Sequence, residues 1–211
     1  HFISQGSLPS CTTCAFSFVN QYFTWRELGE GVALSWPYLF KISSPSDLGT
    51  KPRAVADNLR KRGQPESTSY SLKDYLEYKE PDDMDNAEAD RYRIKNFSFL
   101  TDKSPQAIYR AVKNAPVVIG VGINQADWIR DSKVVQHNPP IFNHAIVVVD
   151  VDEEGNYICV NWWRSDAIDV WKLDKFYPIL LAISLEDLPD DYSVKRTGWL
   201  KSLKMNLCGI H

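Results

Sequence analysis

Long apolar runs are missing from this chain of 211 residues. A helix that crosses a bilayer needs ~20 consecutive apolar residues. The longest strongly apolar stretches, Pro116 to Ile123 and Ala145 to Val151, are strand-sized, which argues against a membrane partner. Cationic charge is not in excess either: Lys and Arg number 24 against 27 Asp and Glu, a formal charge of -3. Binding to a phosphate backbone draws on counterion release by a basic stripe. The densest basic cluster, Arg60-Lys61-Arg62, reads instead as the charged end of a helix, so nucleic acid is not expected as a partner. Cysteine is scarce, and Cys11, Cys14, Cys159 and Cys208 are too few and too unevenly spaced for a disulfide framework. Repeats and low-complexity tracts are lacking, and the acidic segment Glu80 to Asp90 reads as an exposed loop. A charged-then-apolar leader is lacking too. The chain opens at His1, so a processed product or a fragment is expected, and removal of upstream sequence fits a secreted or endolysosomal-type compartment.

What is present is a folded composition, 44% hydrophobic and 12% aromatic. The spacing of Ala15, Phe18, Val19 and Tyr22 predicts a helix from Thr12 to about Leu28 with one face in the core, ended by Gly29 and Gly31. Pro52, Val55, Leu59 and the terminator Gly63 mark a second helix. Ser104 as N-cap, Pro105 at the first position and the face Ile108, Ala111, Val112 mark a third. From Ala115 onward the chain reads as strands: Pro116 to Ile123, Ala145 to Val151 and Tyr157 to Trp162. The turn Asp152-Glu153-Glu154-Gly155 joins the last two into an antiparallel hairpin. Helices first and strands second make an α+β protein of two lobes, with a site in the cleft between them.

Four histidines narrow the candidates for acid–base work, because His1 and His211 are terminal. His137 precedes Asn138-Pro139-Pro140, a loop sequence, and is placed on the surface. His144 and Asn161 are equidistant from the Asp152-Glu153 junction, so the hairpin makes them near neighbours on one face. The amide can then accept from one ring nitrogen and leave the other free to take a proton. Cys11 lies at the electropositive start of the first helix, where a thiol beside a histidine has a lowered pKa. A thiolate–imidazolium pair is accordingly expected before any substrate arrives. The Cys11 backbone N–H and the Gln5 carboxamide, six residues upstream, are candidate donors to an oxyanion.

Gln5-Gly6-Ser7-Leu8-Pro9-Ser10-Cys11 resembles the QGxxxSC segment of the papain family of cysteine peptidases, with the same spacing from glutamine to cysteine. Asn143-His144-Ala145 before an apolar strand resembles the family's histidine segment, and Val160-Asn161-Trp162-Trp163 its Asn-Ser-Trp segment. Leu34-Ser35, the Trp36 to Phe40 stretch, Gly49 to Arg62 and Pro116-Val117-Val118 are similar to bacterial-style members, and Asn206 to Ile210 to a C-terminal segment. The resemblance implies a papain-like fold, a helical left lobe from about 5 to 100 and a β-rich, barrel-like right lobe from about 101 to 211. It implies peptide-bond hydrolysis through a thioester acyl-enzyme, with Cys11 as nucleophile, His144 as acid–base, Asn161 as orienter and Gln5 in the oxyanion hole. A peptide or protein substrate is implied, an inhibitory propeptide fits a family commonly made as zymogens, and neither metal nor organic cofactor is called for.

The family's layout would place Gly49 and Thr50 along one side of the substrate, and Gly120, Phe142 and Ala145 around the pocket for its second residue, beside Asn143. Trp163 would shield the histidine–asparagine contact. The chain departs from the pattern in three places: Leu8 stands where a disulfide cysteine is common, Thr12 where tryptophan usually follows the nucleophile, and Trp162-Trp163-Arg164 where Ser-Trp-Gly follows the asparagine. Plainer readings remain for single residues. Cys-Thr-Thr-Cys over 11–14 would suit a thioredoxin-like dithiol or half a zinc site, but no preceding strand and no second Cys/His pair supports either. Cys14, Cys159 and Trp171 read as core, and Cys208 is open. Acyl transfer of the transglutaminase type and a binding module without turnover are the rival functions.

Overall fold

The computed structural model describes residues 3–44, 49–123 and 142–187. His137, Cys208 and the Asn206 to Ile210 segment lie outside them. Among the described residues there are six α-helices and six strands: α1 (Cys11–Leu28), α2 (Trp36–Ser43), α3 (Pro52–Lys61), α4 (Leu72–Leu76), α5 (Asp83–Ala89), β1 (Asn96–Phe99), α6 (Pro105–Val112), β2 (Val117–Val121), β3 (His144–Val151), β4 (Tyr157–Asn161), β5 (Asp169–Leu173) and β6 (Leu181–Glu186). The strands make one antiparallel sheet in the order β1-β6-β2-β3-β4-β5. Strand β1, from the stretch of chain that is otherwise helical, pairs with β6 at the sheet's edge. Among the described residues no helix is long and apolar enough to cross a membrane.

Helix α1 differs from its expected form in one respect. It buries most of its circumference rather than one face, because α2 and α3 pack on one side of it and the sheet strands β2 and β3 on the other. Its interior polar side chains are hydrogen-bonded, two within the helix and one to a distant segment. Thr13 Oγ1 donates to Ser10 O at 2.8 Å, Thr24 Oγ1 to Asn20 O at 3.1 Å, and Asn20 Nδ2 to Tyr92 O at 2.9 Å. Each such bond removes the cost of a dry polar group, so the missing amphipathic stripe does not prevent burial. Gly29 closes the helix in the left-handed conformation, its N–H donating to Trp25 O at 2.9 Å.

The two faces of the sheet carry two cores. Ala145, Val147, Val149, Val160 and Trp162 point toward α1 and join Phe16, Val19 and Phe23. Ile146, Val148, Tyr157, Cys159 and Trp171 point the other way, where Ile108 of α6 covers them. Period-two alternation in β3 and β4 thus becomes two apolar layers, as expected for a sheet buried on both faces. Cys14, Cys159 and Trp171 are core residues, and Arg60 and Lys61 end α3 with Arg62 as its C-cap, in accord with their expected places.

The acidic stretch corrects an expectation, for it holds helix α5 rather than a loop. Asp82 caps the helix by accepting from Met84 N–H and Asp85 N–H, both at 2.9 Å, and Asp85 accepts in return from Asp82 N–H at 2.9 Å. Carboxylates concentrated at the positive end of a short helix stabilise it where their mere density had suggested irregular chain.

Candidate active site

The start of β3 and the end of β4 meet at His144. Strand β3 begins at His144, whose side chain is buried with 6% of its surface exposed. Its Nε2 lies 2.7 Å from Asn161 Oδ1 at the end of β4. The hairpin reaches this contact by a different register from the one expected. Val147 faces Val160 and Val148 faces Cys159, after which a bulge shifts the pairing to Asp150 with Ile158. Continuing the first register by one residue puts Asn161 opposite Ile146. His144 is therefore the diagonal neighbour on the same face, still within reach of a carboxamide.

Asn161 faces Asp169 directly across β4 and β5. Its Nδ2 donates to Asp169 Oδ2 at 3.1 Å. The same oxygen accepts from Trp163 N–H at 3.3 Å, and Asp169 Oδ1 accepts from Trp171 Nε1 at 3.0 Å. The Trp163 ring lies over the imidazole, with centroids 5.0 Å apart and planes 31° from parallel, and its edge meets the Trp171 ring at 6.0 Å. The Trp163 ring thus covers one face of the imidazole.

Asp169 was not foreseen. Its signal was present in Asp169-Val170-Trp171-Lys172-Leu173, where a carboxylate stands in phase with two buried apolar residues of an alternating strand. A buried charge of that kind persists only with partners around it.

Cys11 opens α1 with Ser10 as N-cap. The backbone of Ala145, the residue after His144, lies beside its thiol and, with Thr12, acts to lower its pKa. Burial nevertheless raises the Cys11 pKa above its ordinary value of 9.0, the donors from Ala145, Thr12 and its own N–H opposing this. Burial also lowers His144 from 6.5 to about 4, against the opposing hydrogen bond to Asn161. Burial thus opposes the charged form of each group, against the helix terminus that favours the thiolate.

Gln5 is tethered by its N–H to Trp162 O at 3.0 Å, which carries the amino-terminal segment to the end of β4. Its Nε2 donates to Leu8 O at 3.2 Å, and its Oε1 is buried without a hydrogen-bond partner among the described residues. Gly120 and Ala145 are directly paired across β2 and β3, and the Phe142 ring lies on Gly120 so closely that a Cβ there would stand 2.6 Å from a ring carbon. The Asn143 amide is used structurally, accepting from Ile123 N–H and donating to Ile123 O, each at 2.8 Å. Gly49 precedes α3 in the left-handed region with φ 112°, and the neighbouring Thr50 Oγ1 is buried without a partner among the described residues. Among the described residues no group of three His, Cys, Asp or Glu could hold a metal ion.

No family model matches the sequence, and no curated protein matches it. Solved structures do. The bromelain protease from Ananas comosus, in complex with the E-64 inhibitor, is 14% identical with a TM-score of 0.72, covering 89% of this chain and 93% of that one. Xylellain, a cysteine protease from Xylella fastidiosa, is 17% identical at a TM-score of 0.72, over 89% of this chain and 83% of that one. A digestive procathepsin L 3 of Tenebrio molitor larval midgut is 16% identical at 0.70, over 88% and 66%. The fold is the α+β, two-lobed fold of the papain-like cysteine proteases. At such identities it is the architecture that is shared, and the chemistry has to be argued from the residues.

Proposed function

We propose that this chain is a papain-like cysteine peptidase that cleaves peptide bonds through a thioester acyl-enzyme. The observation that carries the reading is the buried 2.7 Å contact of Asn161 Oδ1 with His144 Nε2, next to Ala145, whose backbone lies beside the Cys11 thiol. With Nε2 engaged by Asn161, Nδ1 is the ring atom that would take the proton. Cys11 Sγ attacks the peptide carbonyl carbon as its proton passes to His144, and the new charge on the carbonyl oxygen is met by the Cys11 N–H and the remaining Gln5 Nε2 hydrogen. The imidazolium then protonates the leaving amine as the C–N bond breaks, giving the thioester; the neutral ring next takes a proton from the attacking water and passes it to the Cys11 sulfur as the C–S bond breaks and the acid product leaves. The division into a helical lobe, about 5–100, and a β-rich lobe, about 101–211, puts an extended peptide or protein between them. Gly49 and Thr50 would flank the peptide, with Thr50 Oγ1 in want of a partner. Gly120, Phe142 and Ala145 would shape one pocket, and Trp163 keeps water from the His144–Asn161 contact. An upstream inhibitory segment fits the same cleft.

The test is covalent labelling. An epoxide inhibitor of the E-64 type, added to the folded protein under reducing conditions, should add its mass to the peptide containing Cys11. Cys11→Ala should abolish hydrolysis of labelled casein and leave the unfolding midpoint nearly unchanged. An unlabelled Cys11, or a Cys11→Ala variant that keeps its turnover, sinks the reading.

A further inference from the structure

We propose that Asp169 is the positioning residue of this site, the group that fixes which atom of Asn161 faces His144 and hence which nitrogen of His144 carries the proton. The role assigned to His144 here rests on the peptidase reading, whereas the geometry behind it does not. A carboxamide looks alike from both ends, and Asn161 could present either oxygen or nitrogen to the ring. Asp169 removes the choice. An ionised carboxylate only accepts hydrogen bonds, so the end of Asn161 that meets Asp169 Oδ2 at 3.1 Å has to be Nδ2. The oxygen then faces the ring at 2.7 Å, which obliges His144 Nε2 to donate and leaves Nδ1 unprotonated in the neutral ring.

The remaining bonds of Asp169 hold the carboxylate itself in place. Trp163 N–H and Trp171 Nε1 donate to its two oxygens at 3.3 and 3.0 Å. Both oxygens thus accept from groups that can only donate, and the side chain is buried with 5% exposure. An asparagine at 169 cannot satisfy all three donors. If its oxygen serves Trp171, its amide nitrogen confronts Asn161 Nδ2, and Asn161 is driven to turn over and offer N–H to the ring. Through Trp163 the same carboxylate also anchors the backbone of the residue whose ring lies 5.0 Å from the imidazole. One buried charge therefore sets the orienter, the shield and, through them, the tautomer.

The experiment reads the tautomer directly, by ¹⁵N NMR of histidine-labelled protein at neutral pH, with hydrolysis of labelled casein measured in parallel. In the unaltered protein His144 should show a protonated Nε2 and a bare Nδ1. A bare Nε2 overturns the proposal at once, whether or not any variant folds. Asp169→Asn should move His144 toward the opposite tautomer and lower kcat about tenfold or more with KM little changed. In an Asn161→Ala background Asp169→Asn should add little further loss, because its effect passes through Asn161. An Asp169→Asn protein that is folded and keeps both tautomer and kcat rejects the role. The peptidase reading fails separately, by absence of turnover and labelling, and leaves the tautomer measurement standing.

Discussion

At the scale of the residue, charge and burial oppose each other at Cys11. The helix start and the Ala145 and Thr12 donors favour thiolate, yet burial dominates and raises the thiol above 9.0. The rate of Cys11 alkylation by iodoacetamide should then go on rising from pH 7 to beyond pH 9, following the thiolate fraction. A rate already level near pH 5 would show the charged pair to be preformed. The sequence offered Gln5, Cys11, His144 and Asn161 as candidates by order and spacing alone; among them His144 and Asn161 lie 2.7 Å apart at the start of β3 and the end of β4. It could not weigh desolvation, which depends on neighbours hundreds of atoms away along the chain. Asp169 escaped for a related reason, since its partners are a carboxamide across one strand pair and an indole two residues on.

At the scale of the element, local chemistry decided what was legible. Proline at the first turn and serine at the N-cap announced α6, where Ser104 Oγ accepts from Ala107 N–H at 3.3 Å. Strands β1 and β6 gave no such signal, being short and paired with each other across a long separation in sequence, Asn96 with Glu186. The bulge in β3 was likewise invisible, because nothing in Val147-Val148-Val149 distinguishes the residue that drops out of register. Gly63 is a terminator whose reason is tertiary as well as local. Its φ is 74°, and a Cβ there would stand 1.9 Å from Ala89 O, at the junction of α3 with the end of α5. Gly63→Ala should therefore cost roughly 3 kcal/mol or more, the sum of a left-handed backbone and a clash with main chain that has no room to yield. Urea unfolding measures it. A loss under about 1 kcal/mol would mean that the α3–α5 junction relaxes freely.

At the scale of the whole molecule, the site and the fold share one imidazole between them. His144 is buried at the junction of the α1 side and the sheet, and its pKa falls from 6.5 to about 4 on folding. The unfolded chain thus binds a proton that the native protein refuses between those two values. Stability rises with pH where the unfolded state holds more protons. The contribution of His144 is complete above pH 6.5, declines as pH falls toward 4, and declines no further below that. Its size is roughly 3 kcal/mol from the span of the shift. Carboxylates held below their ordinary 3.8, such as Asp152 beside Lys172, act in the same direction but at more acid pH, so the two windows separate. Denaturant unfolding at pH 7 and pH 4.5 should show the native protein losing stability over this interval and His144→Gln losing much less. If the two proteins weaken equally, the imidazole is not the proton acceptor that opens the fold, and the acid sensitivity belongs to the surface carboxylates instead.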